Sequence, residues 1–119
     1  MFLNLTNHPS ALWNARQLDA ALAYGEVVDI PFPQVDPEAS EDAISKLAKQ
    51  VVDQVQSLQP DAVLCQGEMT LCFAMVTLLK QNGIPVLAAC SKRQTSEAKT
   101  ESGSTLKTSE FVFCRFREY

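Results

Sequence analysis

The sequence predicts an α/β fold, and three observations predict it. Short, largely apolar runs (Phe2–Thr6, Val27–Ile30, Ala62–Cys65 and Val86–Cys90) recur along the chain. Between them lie longer stretches whose apolar residues return every three or four positions, the period of a helix packed on one side. Pro9, Gly25, Pro60 and Asn82-Gly83 punctuate the changes of period. Strands alternating with helices in this way build a parallel sheet covered on both faces, with right-handed crossovers.

The first strand, Phe2–Thr6, stops at Asn7-His8-Pro9-Ser10, where Pro9 withholds a ladder donor and Ser10 is placed to cap a helix. That helix spans about Ala11 to Tyr24, with Leu12, Ala15, Leu18 (or Gln17), Ala21 and Leu22 as its stripe and Gly25 as its stop. Val27–Ile30 is the second strand, and its polar Asp29 suits an edge; Pro31 and Pro33 end it. A long helix begins at Asp36-Pro37 or Ser40, carries Ile44, Leu47, Ala48, Val51, Val55 and Leu58 on one side, and closes at Pro60. Ala62–Cys65 is the third strand and runs into Gln66-Gly67-Glu68. The third helix, about Met69 to Gln81, is apolar around most of its circumference. Val86–Cys90, introduced by Gly83 and Pro85, reads as a strand buried on both faces.

The two wholly apolar strands belong in the centre and Val27–Ile30 at the edge. The prediction is a Rossmann-like open sheet of four parallel strands in the order 2-1-3-4, flanked by three helices, with its switch point between strands one and three. Arg93–Thr100 is polar, Glu101–Ser104 is a turn, and Thr105–Phe116 has strand chemistry. Residues 93–119 therefore form a C-terminal β-hairpin on a single domain spanning 1–119. Its second arm joins the sheet antiparallel, and its polar first arm projects, free to pair with another copy. Strict alternation puts Phe111, Phe113, Arg115, Arg117 and Tyr119 on one face.

The chain is 46% hydrophobic and 20% charged, an ordinary composition for a soluble domain. No apolar run approaches the roughly 18–20 residues of a membrane span. The N-terminus lacks a basic region and reaches Asn4 after three residues, unlike a signal peptide, so the cytoplasm is the expected setting. Net charge is −4, with three basic against eight acidic residues in 1–60 and seven against six in 61–119. That balance argues against binding long nucleic acid, yet leaves room for a small anionic ligand at a local basic spot. Cys65, Cys72, Cys90 and Cys114 form no C-x-x-C pair and read as buried free thiols. With one histidine and scattered cysteines, neither a metal site nor a cofactor is expected.

Three strand ends carry polar groups that would converge on one rim: Asn7-His8-Pro9-Ser10, Gln66-Gly67-Glu68 and Ser91-Lys92-Arg93. Backbone N–H groups at Ser10 and after Glu68 open helices and favour anions. Gly67 leaves space for a ligand to approach the backbone. Arg93 suits a phosphate through paired hydrogen bonds, and His8 is the one side chain that titrates near neutrality. The same residues also have plain structural roles: a capped helix start at Ser10, a tight turn at Gly67, a dipole-favoured Glu68, and solvated cations at Lys92 and Arg93.

Gln66-Gly67-Glu68, the helix after it, Gly83-Ile84, the apolar strand, Ser91-x-Arg93, Glu97, Ser102-Gly103, Phe111, Phe113, Phe116-Arg117 and Tyr119, together with Asn7-His8-Pro9-Ser10, resemble the small Csx-type CRISPR-associated ring nucleases of the CARF-like Rossmann superfamily. The resemblance covers about residues 1–10 and 62–119. It implies a homodimer that binds a cyclic oligoadenylate and cleaves it without a metal, the ribose 2′-hydroxyl attacking the adjacent phosphorus. By resemblance, Asn7, Ser10, Gln66, Gly67, Ser91, Lys92 and Glu97 would hold the ring. His8 would be the acid–base group, with Glu68 beside it, and Arg93 would stabilise the phosphorane. The chain departs from the family pattern at Glu68, where aspartate is expected, and at Phe113, where histidine is expected. Two other readings stand beside this one: a non-catalytic dimeric sensor or interaction module, and a small α/β enzyme acting on another phosphorylated metabolite.

Overall fold

A computed structural model describes residues 1–119. β1 (Phe2–Leu5) is buried at every position and lies between β2 (Val27–Ile30) and β3 (Ala62–Cys65). β4 (Val86–Lys99) follows β3, and β5 (Thr105–Glu118) follows β4. The order is thus β2-β1-β3-β4-β5. The first four strands are parallel in the predicted 2-1-3-4 order; β5 runs antiparallel and makes the sheet a mixed one.

Three α-helices cover the sheet: α1 (Ala15–Leu22), α2 (Glu41–Ser57) and α3 (Met69–Gln81). Because side chains alternate along a strand, β1 and β3 each feed two cores, one on either face of the sheet. Leu3, Leu5, Val63, Cys65 and Val86 pack with Val52, Val55, Leu71, Met75 and Leu79 under α2 and α3. Phe2, Ala62, Leu64 and Leu87 pack with Trp13 and Ala21 on the α1 side, joined by Phe116. Each large apolar side chain so buried contributes about 1.5–3 kcal/mol relative to exposure. Ser40 caps α2 by accepting from the Ala43 N–H at 3.1 Å, which decides between the two predicted starts. No helix is long and apolar enough to cross a membrane.

Four expectations need correction. The helix predicted over Ala11–Tyr24 is interrupted: Ser10–Leu12 forms one 3₁₀ turn, Trp13 and Asn14 are extended, and α1 begins only at Ala15. Burial of Trp13 accounts for the break, since its ring meets Phe2 edge-on at 6.2 Å and its indole N–H donates to the His8 carbonyl. Leu12 is therefore 70% exposed rather than part of the inner stripe. Leu58, at the end of α2, is also exposed.

The apolar strand is buried at Val86 and Leu87 but only half-buried from Ala88 to Cys90, and it does not stop there. It runs on to Lys99 and pairs with β5 as a long ribbon. The ribbon projects: the radius of gyration is 17.4 Å, against about 13–14 Å for a compact chain of this length. Finally, Cys90 pairs with Arg115 and Ser91 with Phe113, leaving Cys114 as an extra residue in a β-bulge. The bulge shifts the alternation by one, so Phe113 and Phe116 share a face with ring centroids 4.9 Å apart. Tyr119 lies on the opposite face, against Cys65.

Candidate functional site

The rim where β1 and β3 end is the switch point of the sheet, because the chain leaves β1 for one neighbour and returns on the other side. Its geometry is organised by Asn4, a fully buried amide in an otherwise apolar strand. Asn4 Nδ2 donates to the His8 carbonyl and to Asp29 Oδ1, both at 2.9 Å, and Oδ1 accepts from the Thr6 hydroxyl at 2.8 Å. The His8 N–H donates to Thr6 Oγ1 at 3.0 Å, and Trp13 Nε1 donates to the His8 carbonyl at 3.1 Å. Both backbone groups of His8 are thus held while its imidazole stands exposed at the rim.

Between this loop and the end of β3 lies a cleft of about 380 Å³ lined by Thr6, Asn7, His8, Trp13, Gln17, Leu64, Gln66, Gly67 and Ala89. Gln66 Oε1 accepts from the Ala89 N–H at 3.0 Å, so its carbonyl oxygen ties β3 to β4 and its NH₂ is left for other partners. Of the residues singled out from sequence, Asn7, His8, Gln66 and Gly67 meet here.

The others do not. Ser10 turns to the β2 edge, where its N–H and hydroxyl donate to Asp29 Oδ2 at 3.2 and 3.0 Å. Glu68 caps its own helix, accepting from the Leu71 N–H at 2.8 Å and from the Thr70 hydroxyl at 2.7 Å. The Thr70 hydroxyl, then the Leu71 N–H, hold the Glu68 carboxyl below the usual carboxylate range, so near neutrality it is ionised and has no proton to give. Both helix starts expected to attract an anion therefore already hold a carboxylate of the protein. Gly67 does not leave room for a ligand at its Cα: a Cβ there would sit 2.5 Å from the Phe32 ring, which occupies that space.

The Ser91-Lys92-Arg93 group is not a strand end at all, because β4 continues through it. Alternation from Ala89 puts Ser91 and Arg93 on the cleft side and Lys92 on the opposite one. Ser91 and Arg93 lie two and four residues beyond Ala89, roughly 7 and 14 Å along the ribbon. Arg93 Nε donates to Ser109 Oγ at 2.5 Å. Glu97 is farther out and pairs with Lys107 at 3.4 Å. The sequence drew attention to Asp29 only as an edge residue and to Gln17 only as a stripe position, and not to Asn4, although a lone amide inside an apolar central strand is a signal in itself.

A family model described as the uncharacterized protein MJ1673 family matches residues 1–117. The chain belongs to this family. No curated protein and no solved structure matches it. The MJ1673 match runs from β1 almost to the end of β5, so cleft and ribbon both lie inside it.

The other side of the Gln66-Gly67 turn carries a second pocket of about 290 Å³, lined by Gln66, Gly67, Met69, Cys72, Phe73, Val76 and Tyr119. Cys65 and Cys72 are free thiols with sulfurs 3.8 Å apart. The Tyr119 hydroxyl donates to the Cys65 carbonyl at 2.7 Å and lies 3.8 Å from Cys72 Sγ. The Cys65 thiol, as donor to Cys72, is the main cause that lowers the Cys72 thiol to about 6, against the opposing effect of burial. Cys65 is correspondingly pushed up, and burial raises the Tyr119 phenol. The Cys65 carbonyl, 3.4 Å from Cys72 Sγ, favours the protonated thiol. The downward direction nevertheless prevails, because the Cys65 thiol, the Tyr119 hydroxyl and the Gly67 N–H all favour the thiolate, against burial and the nearby Glu68 carboxylate. Cys90 and Cys114, expected to be buried, are half-buried in the ribbon base.

Proposed function

We propose that the switch-point cleft binds a cyclic oligonucleotide of the cyclic oligoadenylate class, held between two copies of a Rossmann-like domain. One observation carries this reading: Asn7, His8, Gln66 and Gly67 line a single cleft, and Ser91 and Arg93 extend the same face up the ribbon. The resemblance of these residues to the Csx-type ring nucleases supplies the ligand class. At about 380 Å³ the cleft is near the small end of ligand sites and takes only part of such a ring. A ligand with two-fold symmetry fits two such clefts across an isologous dimer.

Cleavage would proceed by attack of a ribose 2′-hydroxyl oxygen on the adjacent phosphorus. The P–O5′ bond breaks, and the products are a 2′,3′-cyclic phosphate and a free 5′-hydroxyl. The 2′-proton passes to a base, and the leaving oxygen takes one up. His8 is the group in the cleft suited to move those protons, and Arg93, reached from above, to stabilise the added negative charge. Glu68 is not part of this proposal, since its carboxylate is engaged at the start of α3.

A second reading, binding without turnover, is favoured by one feature. The His8 imidazole makes no hydrogen bond with another side chain, so nothing orients it as a base. Incubation with cyclic tetra- and hexa-adenylate, followed by chromatography and thermal shift, separates the readings. A raised melting temperature with linear products, lost in His8→Ala, supports the nuclease. A raised melting temperature without products supports the sensor. No shift and no products, with stabilisation by a mononucleotide or sugar phosphate instead, overturns both in favour of a different phosphorylated ligand.

A further inference from the structure

We propose that Cys72 and Cys65 form a peroxide-responsive thiol pair that closes a disulfide across the turn carrying Gln66, Gly67 and Glu68. The proposal stands apart from any reading of the cleft. Cys65 is the last residue of β3, and Cys72 lies in the first turns of α3, so the turn between them is the only chain separating the two thiols. Their sulfurs, 3.8 Å apart, need to close by roughly 1.8 Å to reach a bonding distance of about 2.05 Å.

The two thiols have different surroundings, and the difference assigns their roles. Cys72 lines the 290 Å³ pocket, whose mouth is flanked by the exposed side chains of Met69 and Phe73. A small hydroperoxide can reach it there. Cys65 is wholly buried behind it and is the nearest thiol to it. The titratable groups facing Cys72 are Cys65, Tyr119 and Glu68. By contrast, the Cys90 and Cys114 thiols hydrogen-bond to carbonyls of their own strands, Ala88 and Val112, and to no second thiol.

The chemistry balances with hydrogen peroxide as the oxidant. The Cys72 thiolate attacks one peroxide oxygen, the O–O bond breaks, and the departing hydroxide takes up a proton to leave as water. The Cys72 sulfenic acid is then attacked by the Cys65 sulfur. The S–O bond breaks, the Cys65 proton leaves with the hydroxyl as a second water, and the S–S bond forms. Two thiols have lost two electrons and one peroxide has gained them. Once Cys72 is oxidised, the hydrogen bond to its thiolate and then its charge no longer raise the Cys65 thiol, and burial alone still does.

The full chain supplies a clean test. No Lys or Arg lies between Lys49 and Lys80, so one tryptic peptide carries both Cys65 and Cys72, while Cys90 and Cys114 fall on others. After treatment with hydrogen peroxide and blocking of residual thiols, that peptide is expected to be lighter by two hydrogens and unblocked, and dithiothreitol should restore it. Cys65→Ser should leave a Cys72 sulfenic acid that dimedone traps; Cys72→Ser should abolish both products. In the unaltered protein near neutral pH, Cys72 should alkylate about tenfold faster than Cys114. The proposal is overturned if Cys65 and Cys72 both remain blockable at peroxide levels that oxidise Cys90 or Cys114, or if Cys72 alkylates no faster than they do.

Discussion

Gly67 owes its identity to Phe32. Its backbone lies outside the left-handed region, so the requirement is one of space: a Cβ would meet three ring atoms of Phe32 at 2.5 Å. Gly67→Ala should cost about 1–3 kcal/mol as an overpacked core site. In urea denaturation, its cost should shrink on a Phe32→Ala background; equal costs on both backgrounds would show that something other than the ring excludes the side chain. Asn4 is the second residue with more influence than its length suggests. Asn4→Leu removes three side-chain hydrogen bonds at once, to the His8 carbonyl, Asp29 and the Thr6 hydroxyl, and should cost about 1–3 kcal/mol. Hydrogen exchange at the His8 N–H should accelerate with it, because the loop loses its anchor. For Glu68 the sign follows from a carboxyl held below its ordinary value: its contribution to stability is present above the unfolded carboxylate range and is lost as pH falls through the lowered value. The melting temperature of Glu68→Gln should therefore lie below that of the parent at neutral pH, and the gap should close as pH falls below the ordinary carboxylate range. Asn7, His8 and Gln66 were legible in the sequence because they follow strand ends. Asn4 and Asp29 were not, since their bond joins residues 25 positions apart and exists only once β1 lies beside β2.

At the scale of elements, period and punctuation were legible wherever the determining interaction is local. The α3 boundaries follow from Glu68 and Gly83, and α2 follows from Ser40 and its apolar stripe. The start of α1 was not, because the chain gives up helical hydrogen bonds around Trp13 to bury an indole against Phe2, a contact no local pattern encodes. Asn14 takes over as cap, its side chain accepting from the Gln17 N–H at 2.9 Å. Asn14→Ala should thus cost about 1 kcal/mol in chemical denaturation, the usual value of a lost cap. The expectation that Ser10 caps this helix predicts no such loss at Asn14. The bulge at Cys114 was equally hidden: one inserted residue leaves strand chemistry unchanged while exchanging the faces of everything after it. It places Phe116 beside Phe2 and Trp13, and it sends Tyr119 to the thiol pair instead.

At the scale of the whole molecule, the ribbon is the feature the single chain leaves incomplete. Beyond Leu87 no strand flanks β4 on its outer side, and past Phe113 nearly every ribbon residue is exposed on both faces. An isolated two-stranded ribbon is marginal in water, and open strand edges invite pairing. This one also exposes Phe111 at 78% and Leu106 at 54%. A second copy paired along the ribbon would cover those side chains. The expectation is a particle of twice the 13.1 kDa chain mass in light scattering. Replacing residues 96–108 with a two-residue Asn-Gly turn, which joins the paired Thr95 and Ser109, should reduce it to a single chain, because that removes the outer ribbon while leaving the bulge and Phe113 in place. The shortened chain should keep its melting transition, since both cores lie below the excised segment, yet bind cyclic oligoadenylate at least tenfold more weakly if two clefts share one ring. A parent protein that runs as a single chain, or a shortened one that binds as tightly, would remove the second copy from the site and leave the cleft to act alone.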